Sequence, residues 1–194
     1  MRFDPLKRLR QLATISRPQD IARRYFVVNG FDGALTTLGI LIGFYTGKPV
    51  DLNVVTTACV SAAIGLGMSG FSSAYVSEVA ERKKEFRQLQ EAMISDLSTS
   101  AHYMASRWMP LLIALVNGIT PLLISLIIIV PLWLAELGIV FQFGPFESAI
   151  VIAFIIIFLL GLFLSSISET FWLLSGLQTV VIAIITGLLI YLIA

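Results

Sequence analysis

Five long apolar segments constrain the fold of this chain more than any other feature. About 20 mostly apolar residues are needed for a helix to cross a bilayer. The segments 25–46, 53–77, 109–134, 147–167 and 173–193 each meet that length. Only 13% of the residues are charged, whereas about 25% is usual in a soluble domain. The sequence therefore predicts an all-α, multi-pass integral membrane protein with five transmembrane helices in contact with membrane lipids.

The distribution of basic residues predicts how these helices are oriented. Of the 13 Lys and Arg residues, 12 lie in residues 1–24 or in the connection 78–108, and only Lys48 lies on the other side. Because cytoplasmic flanks are enriched in Lys and Arg, the N-terminus is predicted inside. Residues 1–24 have no signal-peptide pattern and predict a basic interfacial helix, followed by the five-span domain 25–194. The net charge of +1 gives no reason to expect nucleic acid as a partner.

The second span is predicted to continue beyond the membrane as one helix. Residues 77–93 contain no Gly or Pro and many helix formers, and the serine-rich stretch 95–100 predicts a break before a short helix leads into the third span. Glu78, Glu81 and Glu85 share one face of the extension. They either gather metal ions at a cytoplasmic mouth or pair with neighbouring Arg and Lys side chains as on an ordinary solvated helix.

The first span contains an aspartate, Asp32. An ionised carboxylate at bilayer depth costs about 2.5–3.5 kcal/mol on insertion scales, and such residues typically bind a cation or move a proton. Alternatively, Asp32 lies near the interface and caps a broken helix beyond Gly33. Asn29 and Thr36 share its helical face, where small residues would also allow close helix packing. Carboxylate and amide oxygens one turn apart suit a hard cation, which predicts a transport and proton-coupling site at these three residues.

The second and third spans offer less specific candidates. Ser69 belongs to a stripe of small residues that favours close helix packing, and Met68 is either a soft metal ligand or core filler. Asn117 and Pro121 interrupt the third span with a predicted kink, which either faces a pathway or is packed. No phosphate-binding loop, nucleophile triad or paired-cysteine motif is present. We therefore predict neither enzymatic activity nor a tightly bound cofactor.

Two segments resemble the vacuolar iron transporter family. Residues 29–37 read Asn-Gly-Phe-Asp-Gly-Ala-Leu-Thr-Thr, similar to that family's first-span opening, and residues 67–85 resemble its second span with its cytoplasmic extension. The resemblance is to a divergent small member without the large metal-binding insert. It implies a homodimer that exchanges ferrous iron or manganese for protons between the two first spans, with Asp32 as the family's aspartate. The family's second-span Met and Glu fall on Gly70 and Ala74, so these two ligands are missing.

The leading functional hypothesis is a proton-coupled divalent metal cation transporter that resembles iron or manganese exporters. Its expected partners are a second copy of the chain, a divalent metal ion and protons, and its expected location is the plasma membrane of a prokaryote. The alternative is a non-transporting membrane scaffold or regulatory protein of the same fold that has lost the metal site. The predicted metal ligands are Asp32, Met68, Glu78, Glu81 and Glu85.

Overall fold

The computed structural model describes residues 18–47, 51–93, 101–139, 143–168 and 171–193. In these ranges the regular structure is entirely helical, as predicted. Five helices are long and apolar enough to cross a membrane, which confirms the predicted number of spans. The helices are α1 (Pro18–Thr46), α2 (Leu52–Met93), α3 (Ala101–Ile128), α4 (Val130–Glu136), α5 (Pro145–Ser168) and α6 (Trp172–Ile193).

Helix α1 begins earlier than the predicted first span. Pro18 is its first residue, a position where proline is tolerated because the N–H has no partner within the helix anyway. No Gly or Pro follows until Gly30, so nothing separates the polar start of the helix from its apolar part. Residues 18–24, assigned above to a separate interfacial helix, are therefore the first turns of α1. Residues 1–17 lie outside the described residues.

Helix α2 is a single helix of 42 residues, which confirms the predicted continuation of the second span. At 1.5 Å per residue its length is about 63 Å, roughly twice the thickness of the hydrocarbon core. About half of the helix therefore extends beyond the membrane. The predicted break at 95–100 lies outside the described residues. From Ala101 onwards, α3 runs without interruption into the third span, so the part of the predicted short helix that the structure describes is the first part of α3.

A break in the third span that the sequence did not predict lies beyond the predicted kink at Asn117 and Pro121. Helix α3 passes through both Pro110 and Pro121, and the break comes at Ile129, where α4 begins. Pro131 accounts for this position because it cannot donate to the carbonyl four residues earlier. Helix α4 ends at Glu136, and Gly138, two residues further on, has a φ of 84°, a conformation that glycine adopts without steric cost.

Helix α1 lies at the centre of the bundle and contacts each of α2, α3, α5 and α6. It runs parallel to α3, since Asn29 meets Asn117 and, eight residues further along both helices, Thr37 meets Ser125. Gly33 lies between these two contacts. A Cβ built there would be 2.7 Å from the Pro121 carbonyl oxygen, so the two backbones touch. Such close approach through small residues is the usual way that membrane helices associate.

Candidate ion site on the first span

Asp32 lies near the middle of the apolar span of α1, which runs from Ala22 to Thr46. At 1.5 Å per residue it is about 15 Å from one end and about 21 Å from the other. Helix α1 is unbroken at this point, so Asp32 does not cap a broken helix. Its side chain is exposed and forms no hydrogen bond or ion pair with any described residue. The chain by itself thus leaves a carboxylate on its surface at bilayer depth.

The three predicted site residues do not converge within one chain. Asp32 faces outward, Thr36 is half-buried on the same side, and Asn29 turns towards α3. Further along the same side of α1, a Cβ built at Gly43 would meet nothing within 4 Å, whereas one built at Gly39 would lie 3.0 Å from the Ile190 side chain of α6. Within the described residues, the side chains of Asp32, Thr36 and Asn29 therefore do not form one ligand set.

Asn29 instead belongs to a cluster of amides that joins α1, α2 and α3. Its Nδ2 donates to the carbonyl oxygen of Tyr25 at 2.9 Å and to Oδ1 of Asn117. Asn117, which is 4% exposed, donates from its Nδ2 to the carbonyl oxygen of Gly70 at 2.6 Å. Both amide hydrogens of Asn29 are used, which leaves its Oδ1 as an acceptor. Asn117 is thus a packed cross-link between helices.

The two positions that carry metal ligands in the resembled family are occupied by packing in this chain. A Cβ built at Gly70 would lie 3.1 Å from the Asn117 carbonyl oxygen and 3.4 Å from Oδ1 of Asn29. Ala74 is buried. A side chain at residue 70 would press against the amide cluster, whose atoms would have to give by a few tenths of an ångström, and a glutamate at residue 74 would bury a carboxylate.

A second polar contact between α1 and α3 was not anticipated from the sequence. The Thr37 hydroxyl lies 2.8 Å from both the Gly33 carbonyl oxygen and the Ser125 hydroxyl oxygen. Thr37 and Ser125 are both buried. The signal is visible in retrospect: Thr37 follows Asn29 by eight residues, as Ser125 follows Asn117. Polar residues with the same spacing on two spans indicate that the two helices lie side by side with these residues in contact.

The three glutamates of the α2 extension do not form one exposed face. Glu78 is 4% exposed and lies 3.7 Å from Arg82 Nε and 3.5 Å from the Tyr25 hydroxyl. Glu85 pairs with Arg82 at 3.0 Å, and Glu81 is exposed. Among the described residues, no group of three or more His, Cys, Asp or Glu side chains is arranged to hold a metal ion. The ion-pair interpretation therefore accounts for Glu78 and Glu85.

Glu78→Gln should lower the stability of the protein, because it leaves the nearly buried Arg82 with one carboxylate partner instead of two. Loss of a hydrogen-bonding or charged partner at a buried site costs about 1–3 kcal/mol. The matched control is Glu81→Gln, the same change at an exposed position one turn away. Thermal unfolding in detergent compares the two. Equal unfolding midpoints would show that Glu78 does not stabilise this end of α2.

The outward faces of the helices differ in chemistry. On α2, Met68 is 61% exposed and Ser69 is also exposed, so Met68 is not core filler within this chain. The outward residues of α5 and α6 are large and apolar: Val151, Ile155, Leu159, Phe163, Leu177, Val181, Ile184, Ile185 and Leu188. The outward residues of α1 and α2 include many small or polar ones: Asp32, Thr57, Ser61, Gly65, Ser69, Ser72 and Ser73.

The chain is similar in sequence to an archaeal protein, uncharacterized protein MJ0645 of Methanocaldococcus jannaschii. The two are 27% identical over 173 residues, which cover 88% of this chain and 87% of the archaeal one. The chain matches no family model and no solved structure. The resemblance to vacuolar iron transporters therefore depends on the two segments described above.

Proposed function

We propose that this chain is a divalent metal cation transporter that resembles vacuolar iron transporters and exchanges the metal for protons at Asp32. The observation that carries the proposal is the exposed carboxylate in the middle of α1. Lipid cannot solvate an ionised carboxylate, and ionisable residues at this depth typically line ion or proton paths. A carboxylate holds either a metal ion or a proton, which is the minimum requirement for exchange at one site.

A homodimer with its two-fold axis beside α1 would cover this carboxylate. The outward side of α1 has space at Gly43, and that of α2 has space at Gly65, where added Cβ atoms would meet nothing within 4 Å. Small residues of this kind let helices of two chains approach closely. The axis would bring two copies of Asp32 together, and two carboxylates neutralise one divalent cation. The oxygen ligands would then come from both chains.

The ligand chemistry favours hard or borderline ions such as manganese, magnesium or calcium over iron. Asp32 and the Thr36 hydroxyl supply oxygen, which these ions prefer. Gly70 and Ala74 supply no side-chain ligand, and packing occupies both positions. Met68 is the one thioether among the predicted ligands, and its exposure on α2 leaves it available to a partner chain. Iron binding should be weaker than in typical members of the resembled family.

The proposed orientation places the N-terminus and the α2 extension in the cytoplasm of a prokaryotic cell, with the protein in the plasma membrane. The extension carries Arg82, Lys83, Lys84 and Arg87, and Arg107 lies at the start of the apolar part of α3. These residues are therefore on one side of the membrane. Enrichment of basic residues near span ends on the cytoplasmic side supports this orientation.

A second candidate function is that of a non-transporting scaffold or regulatory protein of the same fold. The packing of Gly70 and Ala74 favours it, because a chain that has lost metal ligands can fill their positions with helix contacts. Purified protein in vesicles loaded with a divalent metal, with a pH-sensitive dye, distinguishes the two functions. Metal flux accompanied by opposite proton flux supports transport. A folded dimer that moves neither manganese nor iron supports the scaffold.

A cysteine introduced at Thr36 should cross-link two chains if α1 lies at the dimer axis. Thr36 is half-buried on the outward side of α1, and the native Cys59 is fully buried and should not react. Oxidation in native membranes followed by non-reducing electrophoresis measures the cross-link. Ile155→Cys is the control, because this residue lies on the outward apolar face of α5.

We expect a covalent dimer with Thr36→Cys and little or none with Ile155→Cys. The reverse result would place the axis at α5. Absence of both cross-links in a folded protein would argue that any ion path lies within one chain.

A further inference from the structure

Two adjoining clefts lie between α2 and the start of α3. The larger has a volume of about 490 Å³ and the smaller about 310 Å³. They share two lining residues, Tyr75 and Arg107, so together they form one elongated depression, hereafter the α2–α3 cleft. Neither Asp32 nor the amide cluster of Asn29 and Asn117 lines it.

One end of the α2–α3 cleft is strongly basic. Lys83 and Arg87, one helical turn apart on α2, line the larger cleft together with Arg107 of α3, and none of its described lining residues is acidic. None of the three basic side chains pairs with a carboxylate of the described residues, whereas the neighbouring Arg82 pairs with Glu78 and Glu85. Three basic side chains around one cleft, with no ion-pair partner among the described carboxylates, attract an anion.

The other end of the α2–α3 cleft is aromatic and apolar. Phe71, Tyr75, Trp108 and Leu111 line the smaller cleft. The rings of Phe71 and Tyr75 are stacked, with centroids 6.3 Å apart and an angle of 2° between their planes. Trp108 remains half-exposed. The cleft therefore offers aromatic and apolar side chains next to its basic end.

The α2–α3 cleft lies where the apolar parts of α2 and α3 meet their charged parts, which is where the membrane surface is expected. The apolar part of α3 begins at Arg107, and the charged part of α2 begins at Glu78. Lys83 and Arg87 thus lie on the water side, and Phe71 and Leu111 on the bilayer side. Trp and Tyr side chains, such as Trp108 and Tyr75, concentrate at the headgroup level of membranes.

We propose that the α2–α3 cleft binds one anionic phospholipid. The headgroup phosphate lies among Lys83, Arg87 and Arg107, and the start of an acyl chain lies along Phe71, Tyr75 and Trp108. Basic pockets between spans are a known mode of anionic lipid recognition. The adjoining aromatic and apolar side chains select a lipid over a small soluble phosphate, which would leave the aromatic end of the cleft empty. This site is independent of transport at Asp32.

The test uses Trp108 as a reporter in a chain with Trp133→Phe and Trp172→Phe, which leaves it as the only tryptophan. Nanodiscs of phosphatidylcholine receive increasing amounts of phosphatidylglycerol with brominated acyl chains, which quench nearby tryptophan. Brominated phosphatidylcholine is the matched lipid. We expect brominated phosphatidylglycerol to reach half-maximal quenching at a much lower lipid fraction than brominated phosphatidylcholine. High salt should reduce this difference between the two lipids. Equal quenching by both lipids would by itself overturn the proposal.

Variants then locate the headgroup. Arg87→Gln and Arg107→Gln should each weaken the preference for phosphatidylglycerol about fivefold, the equivalent of about 1 kcal/mol per basic residue near a membrane surface. Lys84→Gln removes an exposed charge one residue from Lys83 that does not line the cleft, and it should change the preference much less. If Lys84→Gln weakened the preference for phosphatidylglycerol equally, general surface charge would explain the preference, and the proposed site would be wrong.

Soluble glycerol phosphate is the last arm of the test. It should not relieve quenching by brominated phosphatidylglycerol at millimolar concentration, because it lacks the acyl chain. Complete competition by glycerol phosphate would assign the basic end to a small soluble phosphate, and the lipid proposal would be wrong.

Discussion

Replacing Asp32 by asparagine should leave a folded protein whose metal flux in vesicles falls to the level of empty vesicles. The substitution keeps the size of the side chain and removes its charge and its proton. Asp32 makes no hydrogen bond or ion pair with any described residue, so no described contact is lost with its charge. Manganese uptake and the opposite proton flux, measured together, should therefore disappear together.

Asp51→Asn is the matched control for Asp32→Asn. Asp51 lies outside the spans, and its Oδ1 accepts a hydrogen bond from the Asn53 backbone N–H at 3.1 Å, which an asparagine oxygen can also accept. We expect parental flux in this variant. Parental flux in purified Asp32→Asn would contradict the role proposed for Asp32. Absence of flux in the parent itself would favour the scaffold function instead.

Adding one methyl group at Gly33 should destabilise the bundle, although alanine normally favours a helix. A Cβ built at Gly33 would lie 2.7 Å from the Pro121 carbonyl oxygen and 2.8 Å from its Cα. These are backbone atoms, so α1 and α3 must move apart to make room. Overpacking of this kind costs about 1–3 kcal/mol. The separation would also strain the hydrogen bonds from Asn29 to Asn117 and from Thr37 to Ser125.

Gly65→Ala adds the same methyl group but should stabilise the protein. A Cβ built there would meet nothing within 4 Å, and alanine is favoured over glycine inside a helix by about 1 kcal/mol. The stability of both variants is measured as unfolding in a graded detergent series. The comparison uses the folded monomer, so that the proposed contact of Gly65 with a partner chain does not affect it. Equal stability of Gly33→Ala and Gly65→Ala would show that α1 and α3 do not touch at Pro121.

The sequence predicted the spans well because their signal is local. An apolar stretch of about 20 residues must become a helix in lipid, since no water is present to satisfy its backbone groups. The continuity of α2 was also predictable, because residues 77–93 contain no helix breaker. Helix boundaries were less accurate. Pro121 lies inside continuous helix, whereas Pro131 marks an interruption that the sequence analysis did not predict.

The sequence by itself determined that this chain is a helical membrane protein with a carboxylate deep in its first span. Only the tertiary structure decided the directions of the side chains. Asn29 and Asn117 are 88 residues apart, and their contact exists because α1 and α3 pack in parallel. The same packing turns Asp32 outward and places Asn117 against Gly70, and it brings the Tyr25 hydroxyl of α1 to 3.5 Å from the buried Glu78 of α2. Helical spacing shows which residues share a face, but the neighbouring helices decide whether that face is buried, because burial depends on contacts between distant parts of the chain.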